Sequence, residues 1–119
     1  MLLIRPQQMA SFERYAEQQF RDRLERHLTS FLAKQGIQIG VDDLREQIGR
    51  GMKFCPEFGL HLQSDIARYF EIVCGSAGGF TTQPLPREAQ NILYAYRVAP
   101  TLKLDRLRAW AEQRREESQ

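Results

Sequence analysis

The sequence predicts an all-α fold: a single small irregular bundle, or orthogonal array, of about five helices with a long first helix. Three observations predict it. Apolar residues recur every three or four positions in five separate stretches, Gly or Pro punctuates the intervals between them, and no segment sustains the β-branched alternation of a sheet. A chain of 119 residues, 42% apolar and 27% charged, supplies one hydrophobic core. Neither a repeat nor a shift in composition marks a second domain, so residues 1–119 read as one helical domain.

The first helix is expected from Pro6 to about Lys34, where Met9, Phe12, Ala16, Phe20, Leu24, Leu28 and Phe31 share a face. Its other face is charged, with Glu17 before Arg21 and Asp22 before Arg26, i,i+4 pairs worth about 0.3 kcal/mol each. Gly36 and Gly40 flank Ile37-Gln38-Ile39 as a helix stop and a short extended connection. The second helix is expected to begin at Asp42 or Asp43 and to run through Leu44, Ile48 and Met52 towards Cys55. Gly49 and Gly51 each cost about 1 kcal/mol relative to Ala in such a helix, so they mark a bend or the close approach of another helix.

Pro56 and Gly59 form the next boundary. Ser64 then suits the N-cap, with Asp65 in the first turn, of a third helix that buries Ile66, Tyr69, Phe70 and Val73 and stops near Gly75. Residues 75–86, rich in Gly and Pro, read as an exposed loop. Pro86 fits the first position of a fourth helix in which Ala89, Ile92, Leu93 and Tyr96 share a face, ending before Pro100, whose ring disfavours helix at Ala99. Thr101 is placed to cap a fifth helix carrying Leu104, Leu107 and Ala111, with Trp110 beside that stripe. Residues 1–5 and 114–119 are expected to fray.

Seventeen basic and fifteen acidic residues leave a formal charge of +2, too small and too evenly spread to predict a nucleic-acid or anionic-membrane partner. The third helix, with Asp65, Arg68 and Glu71, lacks a run of side chains for reading base edges. No apolar run approaches the roughly twenty residues of a membrane span, and Met1-Leu2-Leu3-Ile4-Arg5-Pro6 lacks the layout of a secretory signal. A cytoplasmic location is expected.

His27, His61, Cys55 and Cys74 form no CxxC, HxxxH or HExxH spacing and predict no metal site. Cys55 and Cys74 read as buried thiols, His27 as a half-buried packing residue, and His61 as a turn residue bonded to backbone. A helix C-terminus at Cys55 disfavours a thiolate, which argues against a nucleophile built from Cys55 and His61. Gly75-Ser76-Ala77-Gly78-Gly79 lacks the strand, Lys and hydroxyl of a phosphate-binding loop. No catalytic residue, cofactor or metal is therefore predicted. Candidate contacts to a protein partner are Phe80 and Leu85, which either anchor a partner or fold back onto the core, and Trp110.

One segment, Gly49 to Tyr69, carries a resemblance through Arg50-Gly51-Met52, Phe58-Gly59-Leu60 and Asp65-Ile66-Ala67-Arg68-Tyr69-Phe70. It resembles small helical accessory proteins encoded beside type VI secretion spike, PAAR-repeat and effector genes. Lys103-Leu104-Asp105-Arg106-Leu107 is similar to the C-terminal K-x-D-R-L of that family, and Arg5-Pro6-Gln7-Gln8-Met9 to its opening. The chain departs from it at Gly78-Gly79-Phe80-Thr81-Thr82, where relatives carry an acidic G-x-x-F-D segment. These motifs hold no active site. The resemblance implies an accessory role in effector loading or assembly, in which Asp65, Arg68, Asp105 and Arg106 either contact a partner or tie helices together.

The expected function is thus that of a non-catalytic cytoplasmic accessory protein of a type VI secretion system. It acts as an adaptor or co-chaperone that binds an effector, its chaperone or the PAAR/spike tip, and self-association stays open. An immunity protein that neutralises a cytosolic toxin is the alternative. A small effector or enzyme whose active groups escape recognition is a third reading.

Overall fold

The computed structural model describes residues 6–75, 85–95 and 97–117, with side chains between 15 and 113 in those ranges. Among them, five helices follow one another: α1 (Pro6–Lys34), α2 (Val41–Phe54), α3 (Gln63–Gly75), α4 (Arg87–Leu93) and α5 (Pro100–Glu117). The described residues contain no strand, and the fold is all-α with a long first helix. Phe80 and Tyr96 lie outside the described residues, as do both termini and most of the 75–86 loop.

Pairwise contacts give the direction of each helix. Arg23 of α1 reaches Gln63, and His27 reaches Glu71, so α1 and α3 run the same way. Gly51 and Gln47 of α2 meet Phe70 and Cys74 of α3 in reverse order, which makes α2 antiparallel to both. Arg68 pairs with Asp105, while the next turns of α3 and α5 line one groove, so α5 runs with α3. Trp110 of α5 donates to Glu88 at the start of α4, and the end of α4 lies near the start of α5, so α4 is antiparallel to it. Helices α1, α3 and α5 point one way, α2 and α4 the other.

The core forms where the apolar stripes meet. α1 contributes Phe20, Leu24, Leu28 and Leu32, one residue per turn, and α3 contributes Ile66, Tyr69, Phe70, Val73 and Cys74. Leu93 of α4 and Leu104 of α5 are wholly buried, each such Leu stabilising the fold by about 2 kcal/mol through removal from water. The apolar stripe read along α1 is buried only from Phe20 onward. Residues 15–19, Ala16 included, are exposed among the described residues, on the part of α1 that lies before the start of α3.

Two helix ends use the same glycine device. After α1, Ile37 N–H donates to Leu32 O at 2.9 Å and Gly36 N–H to Ala33 O at 3.1 Å, with Gly36 at φ +76°. After α2, Leu60 N–H donates to Cys55 O at 2.9 Å and Gly59 N–H to Pro56 O at 3.1 Å, with Gly59 at φ +77°. Both are Schellman motifs, in which a left-handed residue turns the chain while satisfying the orphan carbonyls. Each then directs the following apolar residue, Ile37 or Leu60, back towards the core.

The glycines inside α2 have different reasons. A Cβ at Gly51 would stand 2.5 Å from Cζ of Phe70, whose ring is buried and held edge-on to Tyr69 at 5.2 Å. Close approach of α3 is therefore the reason for Gly51. At Gly49 the same atom would meet nothing within 4 Å, so no neighbour demands glycine there.

Four helix starts differ from the sequence-based expectation. α2 begins at Val41 after Gly40, not at Asp42 or Asp43, which occupy its first turn where they meet the positive end of the helix dipole. α3 begins at Gln63, and Ile66 N–H donates to Leu62 O, so Ser64 lies inside the helix and is not its N-cap. Pro86 is the N-cap of α4, not its first residue. α4 ends at Leu93, well before Pro100, which itself opens α5; Lys103 N–H donates to Ala99 O, so Thr101 is not the cap. Proline needs no N–H at the first helical position, and that preference outweighs the capping propensity of Thr101.

Replacing Gly51 by Ala is expected to lower the unfolding free energy by about 1–3 kcal/mol through overlap with Phe70. Gly49→Ala should raise it by up to about 1 kcal/mol through helix propensity. Urea unfolding of the two variants measures this opposition of sign.

Candidate functional site

Most charged side chains that form resolved contacts are spent pairwise along the surface. Glu17 pairs with Arg21 at 3.0 Å, Glu25 with Arg45 at 3.0 Å, Glu112 with Arg108 at 3.2 Å, and Glu46 with Arg50. The expected Asp22–Arg26 pair is replaced by a hydrogen bond from Gln18 to Asp22. Exposed pairs of this kind stabilise a fold by about 0–1 kcal/mol and gather around no common point. Among the described residues, no group of three or more His, Cys, Asp or Glu converges as a metal site requires.

The softer groups are equally scattered. Cys55 and Cys74 are both buried, and burial pushes each thiol from its ordinary 9.0 up to about 12, the reverse of what a nucleophile needs. The Cys74 thiol donates to Gln47 Oε1 at 3.6 Å, which accounts for the buried Gln47. His27 is exposed, not half-buried as the sequence suggested; it lies 2.5 Å from Glu71 and stacks on Phe31. Its position one residue before Leu28 turns it off the buried stripe. His61 is exposed in the connection between α2 and α3.

What gathers instead is apolar surface. Among the described residues, six large apolar side chains are exposed: Tyr15, Val41, Phe54, Leu62, Tyr94 and Leu102. All but Val41 belong to the end of the bundle where α2 and α4 finish and α3 and α5 begin, or to the part of α1 that overhangs it. Phe58 organises this end from below. Its buried ring stacks on Phe54 at 6.2 Å and meets Tyr94 edge-on at 5.0 Å. Offset and edge-to-face contacts of this kind hold two half-exposed rings in fixed positions.

Polar contacts fix the same place. The buried Lys103 ammonium donates to Phe58 O at 2.9 Å, tying the first turn of α5 to the corner between α2 and α3. Tyr94 Oη donates to Glu57 at 2.9 Å, and this bond raises the phenol above its usual range. Arg97, in the short connection from α4 to α5, sits at φ +66°, a left-handed conformation that costs a side-chain-bearing residue about 1 kcal/mol.

The residues singled out from the sequence are placed apart. Arg68 pairs with Asp105 and so joins α3 to α5, and Asp65 is half-buried in the first turn of α3. Trp110 is half-buried and donates to Glu88 at 2.8 Å, and Leu85 packs partly buried against the core. Phe80 lies outside the described residues. Sequence reasoning missed Phe54, Leu62, Tyr94 and Leu102. Their only signal is position, since each is a large apolar residue at a helix end that the buried stripe of its own helix does not need.

A groove of about 280 Å³ runs between α1, α3 and α5, lined by Phe31, Ile72 and Ala111 with Arg68, Glu71, Arg108 and Glu112 on its rim. Its rim charges of both signs offer no concentrated field to a ligand. Comparison of the chain with protein-family models, with curated proteins and with solved structures gives no match. No helix in the described residues is long and apolar enough to cross a membrane.

Lys103→Met is expected to lower stability by about 1–3 kcal/mol, because the buried carbonyl of Phe58 loses its donor while the packing volume is kept. Urea unfolding reads the change. The thiols predict an alkaline response: below the unfolded value near 9.0 their contribution is complete, and it is lost as pH rises towards about 12, where only the unfolded chain has ionised. Unfolding midpoints should therefore fall between these limits, and Cys74→Ala should flatten the slope by up to about 1.4 kcal/mol per pH unit.

Proposed function

We propose that this chain is a non-catalytic protein-binding module, an adaptor or co-chaperone of a type VI secretion system. It would receive an effector, the effector's chaperone or the PAAR/spike tip. The observation that carries the binding reading is the collection of Phe54, Tyr94, Leu102 and Leu62 at one end of the bundle, with Tyr15 on the overhanging helix. Large apolar side chains exposed at one end of a bundle lose contact with water when a partner covers them, and rings held in place beforehand bind with less loss of freedom. The secretion context rests on the resemblance carried by Arg50-Gly51-Met52, Phe58-Gly59-Leu60 and Lys103-Leu104-Asp105-Arg106-Leu107.

Those motif residues have structural tasks. Gly51 admits Phe70, Gly59 turns the chain under Phe58, Lys103 holds the Phe58 carbonyl, and Arg68 holds Asp105. They build the end of the bundle on which the exposed apolar residues stand. A family sharing these motifs would thereby share a platform, and the residues displayed on it would choose the partner.

The test is co-expression of the full chain with the products of the genes that adjoin its own, the proposal requiring a spike, effector or effector-chaperone product among them. Co-purification of one of them is expected, reduced about tenfold or more by Phe54→Ser combined with Tyr94→Ser and unchanged by Val41→Ser at the other end. Retention of none of these products overturns the proposal. Protection against a co-expressed toxin, with no spike or chaperone bound, replaces it with the immunity reading.

A further inference from the structure

We draw no further inference here: the strongest candidate, the apolar end of the bundle where Phe54, Leu62, Tyr94 and Leu102 are exposed, belongs to the site already described, carries charges of both signs in Lys53 and Arg106 against Glu57 and Asp65, and nothing in the structure shows what covers it.

Discussion

The hydrogen bond from the Lys103 ammonium to the Phe58 carbonyl is the constraint on which the arrangement of the apolar end depends. A charged group taken out of water is costly unless it makes strong contacts, so a buried Lys is held by the geometry that satisfies it. Here that geometry belongs to the turn of Cys55 to Gly59. The turn fixes Phe58, Phe58 fixes the rings of Phe54 and Tyr94, and the same Lys fixes where α5 begins. One side chain near the C-terminal third of the chain thus sets the relation of two helical corners that are far apart in sequence.

Much of this architecture is legible in the sequence because it rests on local chemistry. Gly36 and Gly59 mark the helix ends that they form, and Gly51 announces the close approach of another helix without naming Phe70 as its cause. The five helices follow from periodicity and punctuation. The caps were less legible. Ser64 and Thr101 are good capping residues, yet the chain enters α3 and α5 earlier, because packing of Ile66 and the preference of Pro100 for a first helical position decide the start.

The candidate site was nearly invisible for a physical reason. A helix with an apolar stripe says that the stripe is covered by something, and periodicity alone does not say by what. Ala16 continues the stripe of Phe20 and Leu24, yet it is exposed on the part of α1 that lies before the start of α3. Phe54 and Phe58 are four residues apart and stacked, yet one is half-exposed and the other buried, a difference made by α4 and α5 closing over Phe58 only. The charged motif residues were readable as ties between helices, and Arg68 with Asp105 is such a tie.

The directions of the helices carry one more implication. α2 runs against both α1 and α3, and α4 against α5, so the 14 residues of α2 oppose the peptide dipoles of only part of the 29-residue α1. Its carboxyl end, at Lys34, has a cation in the last turn to offset the partial negative charge, whereas its amino end has no acidic residue in the first turn. The compensation along α1 is therefore one-sided: Lys34 meets a partial negative charge of about half a unit at the carboxyl end, within the single turn over which that field is felt.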